Sequence, residues 1–245
     1  MLFIFKKKKL ILNCVTDRHD VAIKAPVSYA RNFYPDWWKA LPKTLDVPGY
    51  AIPAPTMKSC AGLQDLYQHG LMIPMWCDLN VDVTPIGENK HRHHFTDGKS
   101  NLYSHPPEQR GTFADENLFQ HIKLDAPWRF QCDEEIPFVW SEPLWNMDDI
   151  TQHRTLPGTV EYKYQNAVNI NMLIVRRHEI ASVLIPFGQP LAHLTPLTER
   201  ELVINIVEDP QLFESMYNPA VSFSHSYKKS KEAIKRNCPF TGGKQ

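Results

Sequence analysis

The chain has 245 residues and a mass of 28.4 kDa, enough for one large domain or two small ones whose core needs no disulfide or metal staples. Hydrophobic residues at 42% and charged residues at 22% exclude wholesale disorder, and 27 basic against 27 acidic residues exclude the positive field of a general nucleic-acid binder. Pro outnumbers Gly by 20 to 10, where average usage is about 5% and 7%, which favours stiff turns between short strands over a glycine-rich phosphate cradle.

At the N-terminus, Leu2–Phe5 precede the Lys6–Lys9 cluster, and a short apolar run follows it. A secretory signal places charge first and then roughly 7–15 apolar residues, so residues 1–9 read as a basic and apolar tip. No segment approaches the roughly 20 apolar residues of a membrane span, so no transmembrane segment is expected. The five Cys are odd in number, with no C-x-x-C pair. They read as idle thiols of a protein that is not secreted.

Leu10–Val15 reads as the first strand. From Ser28 to Leu41, aromatics recur at helical spacing, and Pro35 divides the stretch into two short helical pieces. Residues 42–55 hold four prolines and read as an extended loop. Residues 62–70 read as a two-turn helix closed by Gly70 in the left-handed region. In MWCDLNVDV, Trp76, Asp78, Asn80 and Asp82 alternate with Cys77, Leu79, Val81 and Val83, the period of a half-buried strand. Residues 84–107 read as a long, His-rich polar connection. Thr112 is expected to cap a helix through about Ile122. Strand-like runs follow at Trp128–Cys132, Pro137–Trp140, Gly158–Tyr164, Val168–Arg176, Ala181–Phe187, Leu191–Leu194 and Glu201–Val207. Asp209 and Pro210 suit the N-cap and first turn of a helix to about Tyr217. Ser226–Arg236 reads as a basic helix.

Many short strands with little strand–helix alternation indicate a mainly β chain with short helices (α+β), a single-domain β-sandwich or jelly-roll (cupin-like) with helical decoration. The expected division is a tip at 1–9, one β-rich domain at 10–220 and a basic tail at 221–245.

The phrases FYPDWWKALPK, TMKSCAGLQDLYQHGLMIPMWCDL, LPGTVEYKY and IPFGQPLAHLTPL resemble an uncharacterised protein family of T4-like marine cyanophages. More distantly the layout is similar to the DUF6065 domain, with its tryptophan-rich opening. The resemblance spans roughly residues 33–200. It implies a phage origin, a β-rich fold, and a place in the host cytoplasm or the virion. The family has no established activity, so no catalytic residue is carried over.

The chain has no G-x-G, no G-x-x-x-x-G-K-[ST], no G-x-S-x-G and no H-E-x-x-H, which removes the dinucleotide, P-loop, hydrolase-elbow and zincin signatures. None of the 11 His has Asp or Glu two residues later, so the H-x-[DE] unit of non-haem iron oxygenases is missing. His94 and Asp97 could serve such a metal only on irregular backbone. A cupin-like oxygenase holding iron, manganese or zinc would have to draw on His91, His93 and His193, with Asp78 as the carboxylate. A solvated loop and a hydrogen-bonded core His193 are the blander readings. Asp78 and Asp82 on one strand lie about 13 Å apart at roughly 3.3 Å per residue, beyond the roughly 5–9.5 Å of paired glycosidase carboxylates. Their face, beside Trp76, remains a place for a polar ligand such as a sugar.

Trp37 and Trp38 are adjacent and cannot both face inward on one helix, so one of them is an interface candidate. Lys228, Lys229, Lys231, Lys235 and Arg236 lack interleaved aromatics beyond Tyr227, which disfavours sequence-specific nucleic-acid recognition. The expectation is a non-enzymatic binding protein, a minor virion component or host-directed factor. It would need no cofactor and would act through a protein partner or self-association.

Overall fold

A computed structural model describes residues 8–83, 91–105, 118–147, 152–175 and 181–216, with positions 108, 111, 113, 115, 231 and 232. Most of the expected N-terminal tip, residues 84–90 of the polar connection, Thr112, and nearly all of the expected basic tail lie outside the described residues.

In chain order the strands are β1 (Leu10–Thr16), β2 (Ser28–Tyr29), β3 (Thr44–Leu45), β4 (Ala54–Pro55), β5 (Leu71–Pro74), β6 (Leu79–Val83), β7 (His91–Phe95) and β8 (Leu102–Tyr103). They continue as β9 (Phe119–Gln131), β10 (Pro137–Ser141), β11 (His153–Thr155), β12 (Gly158–Glu161), β13 (Ala167–Val175), β14 (Ala181–Ile185), β15 (Pro190–Pro196) and β16 (Leu202–Glu208). The short helices are α1 (His19–Lys24), α2 (Asp36–Ala40), α3 (Ala61–Gln68) and α4 (Pro210–Ser215).

The protein is mainly β with short helices, built as a sandwich. One sheet runs β11-β13-β9-β1-β16, with β8 also on β9; the second runs β12-β10-β15-β5-β2. A third, β14-β6-β7, extends the second, because β5 runs on into β6 and β14 into β15. Backbone bonds brace that passage: Met75 donates to Gln189 O at 2.8 Å and Gly188 to Met75 O at 2.8 Å. The ribbon β9–β10 pairs antiparallel with β12–β13 and crosses from one sheet to the other, the winding expected of a jelly roll. The parallel pairing of β1 with β16 departs from that scheme, and no barrel closes.

Period-two patterning explains the core. Leu10, Leu12 and Cys14 of β1, Ile122 and Leu124 of β9, and Ile170, Met172 and Ile174 of β13 face inward from the first sheet. Leu71 and Ile73 of β5, Phe138 and Trp140 of β10, and Ala192 and Leu194 of β15 meet them from the second. All four residues of β5 are buried, because its other face is covered: Met72 packs under α3 with Ala30, Leu63 and Tyr67. A strand covered on both faces loses its alternation and becomes a plain apolar run, so no period-two pattern marks β5.

Three expectations need correction. The helix expected up to Ile122 gives way to β9, which already starts at Phe119. Pro127 lies inside this strand opposite a register irregularity between Ala167 and Asn169, where its missing N–H costs no ladder bond. The polar connection is not all loop either. His91–Phe95 forms β7, paired with β6 from Val83↔His91 to Leu79↔Phe95. Residues 42–55, read as extended, fold back as the small β3–β4 hairpin. The break at Pro35 appears as a 3-10 turn over Ala30–Phe33 followed by α2. Asp209 caps α4 by accepting from Leu212 N at 2.9 Å.

Candidate functional site: a tryptophan-walled pocket

Five residues are too few for α2 to hold its shape alone, so its side chains decide its place. Successive helical residues diverge by about 100°, and Trp37 and Trp38 take opposite roles. Trp38 turns inward and stacks on Tyr34, with centroids 4.2 Å apart and planes 12° apart. Tyr34 in turn stacks on Tyr67 of α3 at 4.5 Å. Trp37 turns outward and stays 43% exposed.

Trp37 is nevertheless held. Its Nε1 donates to Trp145 O at 3.0 Å, and the two indoles stand 5.9 Å apart with a 44° tilt. Trp145 is itself 41% exposed and lies on a 3-10 turn, Leu144–Asn146. That turn is pinned through Asn146, whose Nδ2 donates to Phe33 O and whose Oδ1 accepts from Tyr67 Oη, both at 2.5 Å. Burial raises the Tyr67 hydroxyl well above its ordinary pKa, so it stays protonated as the donor.

The two tryptophans wall a pocket of about 440 Å³ beside Asn32, Asp36 and Lys39, and Gly188 and Pro190 close its far side. Asn32 Nδ2 donates to Ser28 Oγ at 2.6 Å, which leaves its Oδ1 as an acceptor outside that bond. Asp36 pairs with Lys39 at 2.9 Å while its side chain remains 97% exposed. The volume is that of a small-ligand site. The walls are braced by the aromatic stack and two prolines, so little order is lost on binding.

The other sequence candidates do not gather here. Trp76 is a correction: it is 4% exposed, not on the polar face, and donates through Nε1 to Ser100 Oγ at 2.6 Å. Regular strand geometry starts only at Leu79. Asp78 is half-buried and accepts from Phe187 N at 2.7 Å, tying the passage between β6 and β15. Asp82 is exposed opposite Arg92.

His93 sits opposite Val81, on the core-side face of β7, and burial lowers its pKa. His91 occupies the same face by register, and its side chain lies outside the described residues. His193 is 1% exposed on the outer face of β15, opposite Met72. Its Nε2 lies 2.9 Å from His69 O, and a carbonyl can only accept, so Nε2 carries the proton. Burial lowers the His193 pKa against the opposing effect of that bond. His193 thus faces the helix layer, away from the core side that carries His93. Among the described residues no group of three or more His, Cys, Asp or Glu is placed to hold a metal ion.

Asp97 has a structural partner that sequence reasoning missed. Arg18 Nη1 meets Asp97 Oδ2 at 2.5 Å, with side chains 11% and 9% exposed. Burial alone would raise the Asp97 carboxyl, but bonds from Ser100, Arg18 and the Lys99 backbone prevail and hold it far below the usual range. The adjacent Cys77 thiol is pushed up to about 11, by burial first and then by the Asp97 charge. It stays protonated at neutral pH and is no nucleophile.

Trp145 was the member of the pocket that the sequence hid. Of the remaining tryptophans, Trp128 and Trp140 are core, at 0% and 5% exposure. Trp145 differs by lying between strands, in the polar run EPLWNMDD, and that context was the available signal. No protein-family model matches the chain, and no curated protein matches it. Among the described residues no helix is long and apolar enough to cross a membrane.

Proposed function

We propose that this chain is a non-enzymatic binding protein whose contact face is the pocket between Trp37 and Trp145. One observation carries the reading: two tryptophans, each about two-fifths exposed, stand side by side on a braced pocket, with the Trp37 indole N–H bonded to the Trp145 carbonyl. Exposed indoles held in place are the residues that dominate binding energies at interfaces. The β3–β4 hairpin beside α2 extends the face, with Tyr50 and Ile52 exposed at 69% and 75%. The 3-10 turn that follows it, Met57–Ser59, is tied to α2, since Lys58 Nζ donates to Lys39 O at 2.7 Å.

The partner is a protein or a second copy of the chain. The likeness of the tryptophan-rich opening to cyanophage proteins supports a minor virion component or a host-directed factor.

The test compares wild type with Trp37→Ala and Trp38→Ala by sedimentation velocity over a concentration series, and by capture from infected host cells. Trp37→Ala should keep its stability within about 1 kcal/mol and lose self-association or a specific captured partner. Trp38→Ala should instead lower stability by about 2 kcal/mol, because it breaks the stack on Tyr34. A monomeric wild type that captures the same proteins as Trp37→Ala would overturn the reading.

A further inference from the structure

Resting on the binding role of this same pocket, and taking its partner to be a glycosylated protein rather than a second copy of the chain, we infer that its ligand is a saccharide, one or two pyranose units on that partner's surface. The chemistry of the pocket's available atoms separates this from a proline-rich peptide, the other ligand that exposed tryptophans commonly take.

An indole that recognises an extended peptide uses its N–H to donate to a backbone carbonyl while its face packs on proline. The Trp37 N–H is already spent on Trp145 O. What Trp37 offers is its ring face, a flat apolar platform of the kind that fits the C–H face of a pyranose.

The polar atoms around that platform point the same way. Asn32 Oδ1 and the Asp36 carboxylate are acceptors, beside the Lys39 ammonium as a donor. A peptide backbone of prolines carries carbonyls and no N–H, so it offers neither acceptor a hydrogen. Neighbouring sugar hydroxyls donate and accept, and can satisfy the acceptors and the ammonium at once. Asn146 contributes no ligand contact through its amide, both ends of which are committed to Phe33 O and Tyr67 Oη. It fixes the distance between the two walls instead. Gly188 adds no side chain to the far wall, and a Cβ there would meet nothing within 4 Å. The volume of about 440 Å³ accommodates a pyranose ring beside Trp37.

The experiment screens the full chain on an array of neutral, amino and acidic hexose oligosaccharides. The hits, and a deca-proline peptide, are then titrated by intrinsic tryptophan fluorescence. At least one saccharide should bind and perturb the emission. Trp37→Ala should weaken it about tenfold or more, Trp37→Phe less, and Asp36→Asn severalfold. Binding unchanged in both Trp37→Ala and Asp36→Asn would place the sugar elsewhere and overturn the inference. So would an array without hits, or saturable binding of the deca-proline peptide alone. If no saccharide binds while Trp37→Ala still abolishes partner capture, the saccharide assignment falls and the binding role stands.

Discussion

The Arg18–Asp97 pair joins two side chains that are only 11% and 9% exposed, and its consequences are thermodynamic. Two nearly buried charges that satisfy each other contribute little when both are present, but removing one strands the other. Asp97→Asn strands Arg18 only in part, because Asp20 still pairs with it at 2.7 Å, and should destabilise the fold by about 1–3 kcal/mol, read as a lower urea midpoint. The same carboxyl sets a pH dependence. Its folded pKa lies far below its unfolded value of about 3.9, so its contribution is complete above that pH and is lost as pH falls through the folded value. His193 acts in a higher window. The unfolded chain takes up a proton near pH 6.5 that the buried, neutral imidazole refuses, so stability should already decline as pH drops below 6.5 toward the folded pKa. His193→Gln keeps a donor for His69 O and should flatten that upper limb while leaving the acid limb in place. A stability curve level between pH 7 and pH 5 in the wild type would contradict this account of His193.

At the scale of elements, the seam between α3 and the second sheet depends on one glycine. Gly70 has φ +83°, and a Cβ there would stand 2.1 Å from Leu194 O. The position is closed both by backbone conformation and by the approach of β15. Gly70→Ala should cost at least about 1–3 kcal/mol, seen as a lower midpoint, and should loosen the Ala30 N to Gly70 O bond that seats the 3-10 turn. An unchanged midpoint would show that β15 yields there. The glycine was legible in the sequence because its role is local, and so were β1, β10, β13, β14 and β16, whose apolar patterning is strong. The start of β9 was not. Gln120 and His121 are both buried there, and two polar residues in a row erase the alternation that Ile122 and Leu124 would otherwise show. β7 hid for a related reason: HRHHF has one apolar residue, and only pairing with β6 makes it a strand. The division at Pro35 and the outward turn of one tryptophan were readable from spacing. The pocket was not, because Trp145 lies 108 residues from Trp37 and their meeting depends on sheet order.

At the scale of the whole molecule, the sandwich separates two kinds of surface. The first and last described strands, β1 and β16, lie side by side in one sheet. The helices α2 and α3 and the pocket collect on the outer side of the other, over Met72 and the start of β15. Aromatic side chains there are spent in two layers, Trp38, Tyr34 and Tyr67 as bracing and Trp37 with Trp145 as the presented face. The account predicts that contacts to a partner come from this side. Site-specific photocrosslinking tests this most directly, with p-benzoylphenylalanine replacing Lys39 at the pocket rim or Tyr103 on the first sheet, both exposed. The predicted result is a discrete crosslinked product, to a partner or to a second copy, from position 39 and none from position 103. A product from position 103 alone, or from neither position, would contradict the assignment of the tryptophan-walled pocket as the binding face.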